Sequence, residues 1–192
     1  MPEHKGTVTL ETERLILRKF EVGDLECIFQ NCWSHHEVWK WSSYDPMNSI
    51  DDVLTLNNIF TDYWFAKYDK PDCYNWAVQL KSSGEVIGRL RGVSPDDRVG
   101  QNELAYEIGP KWWNKGLMTE AVKSVIDFFF TKVGYNRIYA RHASENLASG
   151  RVMQKCGMGY EGTSHQACKN NNGLFDYVNY AIIAEDYPGG FA

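Results

Sequence analysis

The sequence predicts an α/β domain built around one mostly antiparallel sheet. Segments with strand-like alternation are joined by short polar turns, as between residues 75–80 and residues 85–93. Residues 103–134 change from an apolar period of two to one of about 3.6, which indicates a strand followed by a helix. The chain has 192 residues, 43% of them hydrophobic, so it is long enough for one globular domain with a sizeable core.

The N-terminal part begins with a predicted strand at residues 12–20 and a predicted helix at residues 21–33. Ser49 and Asp52 have the spacing of a helix capping box, which predicts a second helix over residues 51–67. The many aromatic residues in this region either line a substrate pocket or fill the core. Because aromatic rings are readily buried, the core is favoured.

The segment from residue 103 to residue 134 predicts a strand, a loop and a long helix. Large apolar side chains occupy every second position of residues 103–108, and Gly109-Pro110 ends that strand. After Gly116 the apolar residues recur at helical spacing, and Gly134 lies where a helix commonly stops. The start of such a helix presents unpaired N–H groups and a positive dipole, which suits a phosphate or pyrophosphate. An ordinary strand–helix connection is the alternative.

Three strands and one helix are predicted beyond residue 134. A strand at residues 136–142 is followed by a helix that Asn146 caps and Gly157 closes. Residues 160–168 and 173–185 then predict two strands joined by an asparagine-rich loop.

Composition argues against several function classes. A net charge of −5 with no basic tract disfavours a nucleic-acid partner and would suit a positively charged substrate better. No apolar run is long enough to span a bilayer and no signal-peptide core is present, so we expect no membrane partner. The five cysteines show no zinc or disulfide spacing, which predicts reduced thiols and a cytoplasmic location. The His35-His36 pair has no further ligand nearby, so we expect no metal.

Two motifs together resemble the GNAT superfamily of N-acetyltransferases. They are WNKGLMTEA at residues 113–121 and ENLASGRV at residues 145–152, the second followed by CGM at residues 156–158. The likeness is greatest to the ribosomal-protein branch, RimJ/RimL type, and covers residues 9–185. It implies a single GNAT domain over residues 1–192, with about seven strands, flanking helices and central strands that splay apart.

The resemblance implies that acetyl-CoA is the cosubstrate and that its pyrophosphate binds backbone amides before the long helix. The matching positions are Asn114, Lys115, Gly116, Leu117, Met118 and Thr119. The thioester would lie between strands 103–108 and 137–142, where we expect the backbone groups of Tyr106, Glu107 and Ile108 to bind the pantetheine. The usual pattern, Gln/Arg-x-x-Gly-x-Gly/Ala, is not kept at its outer positions, which Trp113 and Met118 occupy.

Acyl transfer to an amine needs a group that accepts the amine proton and a group that protonates the leaving thiolate. Glu103 and Glu107 share one face of the predicted strand, so either is a candidate base; a salt bridge or a solvated strand edge is the alternative. The resemblance implies Ser149 as the proton donor and Asn146 as a residue that orients the acetyl group or pantetheine. Both would also suit a helix cap.

Three further residues are weaker candidates for the site. His142 ends the strand next to the predicted gap, where a packed histidine is favoured over a catalytic one. Tyr177 and Tyr180 lie in the last predicted strand, where some members of the superfamily place substrate contacts.

The leading hypothesis is an acetyl-CoA-dependent N-acetyltransferase that acts by direct transfer in a ternary complex. The acceptor would be an amine, either a protein N-terminus or a small molecule. The alternatives are a non-catalytic acyl-CoA-binding or interaction module on the same fold, and a transferase of another acyl group. We expect a monomer or a homodimer.

Overall fold

The computed structural model describes residues 1–42, 44, 46–53, 67–170 and 173–189. In that part of the chain, eight strands form one mixed sheet. They are β1 (Leu10–Glu11), β2 (Leu15–Arg18), β3 (Tyr74–Leu80), β4 (Val86–Gly92), β5 (Gln101–Ile108), β6 (Arg137–Ala143), β7 (Gly159–Asn170) and β8 (Gly173–Ile183). Their spatial order is β1-β2-β3-β4-β5-β6-β8-β7, and among the described pairs only β5 and β6 run parallel. The predicted fold class is confirmed, with one strand more because the short β1 turns back onto β2 at Thr12.

Four α-helices have both ends within the described residues. They are α1 (Asp24–Ile28), α2 (His36–Trp39), α3 (Leu117–Phe128) and α4 (Leu147–Lys155). One π-helical turn extends α1 over Phe29–Trp33, and another extends α3 over Phe129–Val133. The second ends at Gly134, in the left-handed conformation at φ 78°, as the sequence predicted. None of the helices in the described ranges is long and apolar enough to cross a membrane.

The predicted capping box is present. Asp52 N–H donates to Ser49 Oγ (3.0 Å), and Ser49 N–H donates to Asp52 Oδ2 (3.0 Å). Residues 50–53 are helical. The remainder of the helix predicted over residues 51–67 lies largely outside the described residues, at positions 54–66.

The alternation of side chains gives the sheet two different faces. One face carries apolar residues such as Leu90, Leu104 and Ile138, and α3 and α4 pack on it to form the main core. The opposite face is apolar over β3 and β4, where α1 and its π-helical turn cover Ala77 and Val86. Over β5 and β6 this second face carries charged side chains instead, including Glu103.

The parallel strands β5 and β6 diverge after a short paired stretch. They pair only from Gln101↔Arg137 to Glu103↔Tyr139. β5 then stays paired with β4 as far as Ile108, and β6 stays paired with β8 to its end. Each strand is therefore held by its outer neighbour while the two inner edges separate, which confirms the predicted splay.

Aromatic rings fix α3 and its π-helical turn on the sheet. Phe129 is fully buried, with its ring centroid 4.8 Å from Tyr74 and 5.2 Å from Tyr135, both nearly edge-on. Trp76 and Phe128 complete the cluster at 6.0 and 5.8 Å from Phe129.

We predict that Phe129→Ala lowers the free energy of unfolding by about 3–5 kcal/mol, because it removes the central ring of this cluster. The adjacent Phe130→Ala is the matched control, since Phe130 is only partly buried and contacts Tyr187 instead. Denaturant unfolding of both variants measures the difference. Equal losses in the two variants would contradict the central position given to Phe129.

Candidate active site

Hydrogen bonds at the two ends of β5 determine which of its backbone groups face β4. Val93 N–H donates to the carbonyl of Glu103, and Gly109 N–H donates to the carbonyl of Ile87, both at 2.9 Å. In an antiparallel pair, alternate residues direct both backbone groups at the partner strand. The odd-numbered positions from 103 to 109 therefore face β4, and the even-numbered ones face away from it.

The gap between β5 and β6 is lined by the backbone groups of Leu104, Tyr106 and Ile108. Tyr106 and Ile108 thus have the geometry that the predicted pantetheine contacts require. The Glu107 backbone does not: it faces β4, and that part of the expectation is corrected. Trp113 Nε1–H donates to the Ile108 carbonyl (2.7 Å), so that carbonyl already has a partner. The N–H of Ile108 is then the backbone group available to a ligand.

The start of α3 is an uncapped helix end. Gly116 has φ 75° and Asn114 has φ 59°, so the chain enters the helix through two left-handed residues. No described side chain caps the helix, and its first N–H groups, at Leu117, Met118 and Thr119, have no intrahelical partner. Such N–H groups and the helix dipole together favour a bound anion.

The side chain of Met118, which departs from the superfamily pattern, points into the core. It is 5% exposed, and Leu117 is 4% exposed. Only the backbone of these two residues is therefore presented at the helix start, so the larger side chain leaves that surface open.

A bridge from residues 12–14 holds the first turn of α3. Glu120 Oε1 accepts hydrogen bonds from the Thr12 hydroxyl and from Arg14 N–H, and its Oε2 accepts one from Arg14 Nε (2.7 Å). Arg14 Nη1 also donates to the Lys115 carbonyl (3.0 Å). Burial would raise the pKa of the Glu120 carboxyl, but these hydrogen bonds outweigh it and hold that pKa below its usual value. Sequence reasoning missed this bridge because Arg14 and Glu120 are 106 positions apart.

The starts of α3 and α4 do not lie side by side. The Cys156 thiol contacts the Thr119 carbonyl (3.6 Å), so it is the end of α4 that lies beside the first turn of α3. The nine residues of α4 span roughly 13 Å at 1.5 Å per residue. A ligand that reaches both starts must therefore be extended, as a coenzyme arm is.

The start of α4 brings two hydroxyl groups together. Asn146 Oδ1 accepts from Ser149 N–H (3.3 Å), so Asn146 is the helix cap. Ser149 Oγ–H donates to the Tyr106 hydroxyl (3.1 Å), which in turn donates to the Ser149 carbonyl (3.0 Å). Burial raises the pKa of Tyr106, so this phenol stays protonated at neutral pH.

Both candidate carboxylates are paired with arginines. Glu103 Oε1 accepts from Arg141 Nε (2.8 Å), and its Oε2 lies 3.5 Å from Arg141 Nη2. Glu107 Oε1 accepts from Arg89 Nε and, more weakly, from Trp33 Nε1 (3.4 Å). The salt-bridge alternative raised for both glutamates is therefore realised, and it leaves Glu107 Oε2 without a hydrogen bond from any described residue.

These pairs line an open cavity of about 280 Å³ on the charged face of the sheet. Trp39, Trp41 and Tyr44 line it, and Trp39 and Tyr68 are also buried residues of the neighbouring apolar cluster, so the aromatic region both lines the cavity and fills the core. Of the other aromatics in this region, Phe60, Tyr63, Trp64 and Phe65 lie outside the described residues.

His142 and Tyr180 belong mainly to the packing between β6, β8 and α4. The two rings stack with centroids 5.8 Å apart. A Cβ added at Gly150 would come within 2.6 Å of His142 Nε2, so the absence of a side chain at Gly150 makes room for the histidine ring. Tyr177 lines the cavity and Tyr180 is not among its described lining residues. His142 also borders the cavity, but it is only 6% exposed, which favours a packed histidine.

A family model, the acetyltransferase (GNAT) domain, matches residues 14–159. The chain belongs to the GNAT acetyltransferase family. The matched residues run from the loop before β2 into the first residue of β7, and they include the gap, the start of α3 and both candidate carboxylates.

Similar proteins carry N-acetyltransferase names. The uncharacterized N-acetyltransferase YoaA of Bacillus subtilis (strain 168) is 30% identical over 174 residues, covering 91% of this chain and 96% of the relative. The ribosomal protein uS5-alanine N-acetyltransferase of Escherichia coli (strain K12) is 31% identical over 205 residues, covering 95% and 94%. The chain is accordingly an acetyl-CoA-dependent N-acetyltransferase of this family.

A solved structure with bound coenzyme has the same fold. Spermidine N-acetyltransferase from Vibrio cholerae, in complex with CoA and spermine, superposes with a TM-score of 0.75 at 22% identity, covering 92% of this chain and 99% of that one. The residues present here fit CoA, because the uncapped start of α3 suits a diphosphate and the gap presents free backbone groups. No group of three or more His, Cys, Asp or Glu in the described ranges is placed to hold a metal.

The arginines of this GNAT site were not among the sequence-predicted residues. Arg89 and Arg91 alternate with Leu90 in β4, so a period of two already placed them on one face. Which carboxylate each would meet depends on the register of β4 against β5, where Arg89 lies opposite Glu107. The sequence pattern of each strand does not specify how the two strands are aligned.

The bridge to Glu120 makes stability depend on pH. A carboxyl whose pKa is lowered on folding stabilises the native state fully above its unfolded pKa, and this contribution is lost as pH falls through the folded value. We predict that Glu120→Gln lowers stability at pH 7 and flattens the loss of stability below pH ~4.5. Urea unfolding from pH 7 to pH ~3 checks this, with the exposed Glu13→Gln as control. An unchanged acid limb in Glu120→Gln would refute the assignment.

Proposed function

We propose that this GNAT enzyme acetylates an amine that enters the cavity beside Glu107, by direct transfer in a ternary complex. The observation that carries the proposal is the gap between β5 and β6, which opens beside that cavity, where the start of α4 contributes Asn146 and Ser149. Acetyl-CoA, when bound, supplies the acetyl thioester. The amides of residues 114–119 would hold its diphosphate, and Tyr106 and Ile108 would hold the arm through their backbone.

Glu107 is the residue we assign as the base. Its Oε1 is fixed by Arg89 and Trp33, whereas its Oε2 has no hydrogen bond from a described residue and remains free to accept an amine proton. Both oxygens of Glu103 face Arg141 instead. Glu107 also lies beyond the last β5–β6 pair, next to the backbone groups of Tyr106 and Ile108.

Ser149 is the residue we assign as the proton donor. Its hydroxyl lies beside the Tyr106 hydroxyl in the wall of the cavity, and its hydrogen can rotate toward a leaving sulfur. The transfer balances: a C–N bond forms as a C–S bond breaks, Glu107 takes one proton from the amine, and the sulfur receives one from Ser149. Ser149 then regains a proton from solvent water as Glu107 releases its own to solvent. Asn146 positions Ser149 by capping its helix.

The related enzymes support two kinds of acceptor, a protein N-terminus and a small amine. The uS5-alanine enzyme acts on a ribosomal protein, which supports a protein N-terminus, and the fold-related spermidine enzyme supports a small amine. Release of free thiol from acetyl-CoA with a panel of amines separates a transferase from a binding module, since a module releases none.

We predict that Gly116→Glu abolishes acetyl-CoA binding, because it adds a carboxylate and a strained left-handed residue at the diphosphate site. Gly134→Glu is the matched control, since Gly134 is also left-handed at φ 78° but closes the other end of the helix, with open space around it. Isothermal titration with acetyl-CoA measures both variants. Retained binding in Gly116→Glu would exclude this helix start as the site.

We predict that Glu107→Gln lowers kcat by about 10²-fold or more, because the amide cannot accept the amine proton. Glu103→Gln is the comparison and should lower kcat less, since we do not assign Glu103 as the group that accepts the amine proton. Steady-state kinetics measure kcat, and thermal melting checks that each variant is folded, because each change breaks an ion pair with an arginine. A larger loss of kcat in Glu103→Gln would move the role of base to that residue.

A further inference from the structure

The acceptor cavity contains one arginine for which the described chain provides no carboxylate. Three arginines and two glutamates line it, namely Arg89, Arg91, Arg141, Glu103 and Glu107. Arg89 is paired with Glu107, and Arg141 with Glu103. Arg91 forms neither a hydrogen bond nor an ion pair with any described residue, and its Nε is buried. These five side chains therefore leave one positive charge uncompensated.

Arg91 as a whole is partly buried, with its Nε shielded from solvent, and an unpaired guanidinium held there is unfavourable unless a ligand compensates it. Desolvation, with the like charge of Arg89, lowers the pKa of Arg91 to about 10, so the guanidinium still carries its charge at neutral pH. The cross-strand neighbour Asn75 has an Oδ1 that is also buried without a partner. A water between the two atoms would satisfy their hydrogen bonding, but it would not neutralise the charge.

Arg91 faces the acceptor and not the phosphates of the coenzyme. It lies opposite Ala105 in the β4–β5 register, two residues from Arg89, and therefore on the same face as Glu107. The helix α3, whose start is the anion site for the diphosphate, packs on the opposite face with Leu90. The anion that Arg91 would bind is therefore not the diphosphate of the coenzyme.

We propose that the acceptor is an amine that also carries a carboxylate, which binds Arg91 while the amine lies at Glu107. The inference rests on the proposed acetyl transfer and names the substrate class for it. A guanidinium binds a carboxylate through two parallel hydrogen bonds, stronger than neutral ones. The cavity of about 280 Å³ equals the liquid volume of roughly nine waters, enough for an amino acid or the first residue of a peptide. A polyamine would instead bring a second cation toward Arg91.

The test is a matched series of acceptors. ω-Amino carboxylates with two to five methylenes are compared with their primary amides and with diamines of equal length, and Ala-Glu-amide is compared with Ala-Gln-amide. With acetyl-CoA in excess, we expect kcat/KM for the best carboxylate to exceed that of its amide and its diamine at least tenfold. The peptide pair shows whether the carboxylate can belong to a peptide side chain.

Arg91→Met should remove this preference while leaving the affinity for acetyl-CoA unchanged. The KM for the carboxylate should rise at least tenfold, and that for the amide should stay within a factor of two. Arg98→Met is the matched control, since it removes one arginine charge from an exposed site, where Arg98 pairs with Asp96. Equal or faster turnover of amides or diamines by the wild-type enzyme would overturn the inference and leave the proposed function standing. Absence of both acetyl-CoA binding and thiol release would overturn the proposed function itself.

Thermal melting gives a readout that does not depend on turnover. Arg91→Met should melt a few degrees higher than the wild type, because the variant removes an uncompensated, partly buried cation. Millimolar ω-amino carboxylate should raise the Tm of the wild-type coenzyme complex but not that of Arg91→Met. A lower Tm for Arg91→Met, or equal ligand shifts in both proteins, would overturn the inference.

Discussion

The divergence of β5 and β6 is the constraint on which the site depends. After Glu103↔Tyr139 the two strands no longer bond to each other, and each remains attached only to its outer neighbour. Backbone groups that a continuous sheet would have paired are thereby presented in the gap, and in a folded protein such groups need partners. A ligand with an amide-bearing arm can supply them. The unpaired strand edges and the binding of an extended coenzyme are thus two aspects of one geometry.

The alternation of side chains along β5 puts the residues that anchor the strand on one face of the sheet and the candidate catalytic carboxylates on the other. Leu104, Tyr106 and Ile108 turn toward α3 and α4, where the apolar core fixes the position of β5. Glu103 and Glu107 turn to the opposite face, which the N-terminal helices cover only in part. Because the anchoring side chains come from the same strand, the carboxylates have little freedom relative to the gap. A rigid strand of this kind suits proton transfer, which needs fixed geometry.

How much the sequence could predict depends on the range of the interaction. The strand–helix boundary at Gly116 and the stop at Gly134 follow from local rules, and both were predicted. The shared face of Glu103 and Glu107 follows from a period of two. The splay came only from the family resemblance, because no pattern within β5 or β6 specifies where their pairing ends. The bridge from Arg14 to Glu120 and the pairing of Arg89 with Glu107 depend on register and packing between distant segments.

The charge of the whole chain and the charge of its cavity point to different acceptors. A net charge of −5 favoured a cationic substrate, but most acidic residues lie at the surface, where salt screens them beyond about 8 Å. At the partly buried wall of the cavity, charge–charge interactions are less screened than at the surface. Among the described lining residues the two glutamates are paired with Arg89 and Arg141, so Arg91 is the charge left without a partner there. The proposed acceptor, an amine that carries its own negative charge, is the one that this arrangement of charges would bind best.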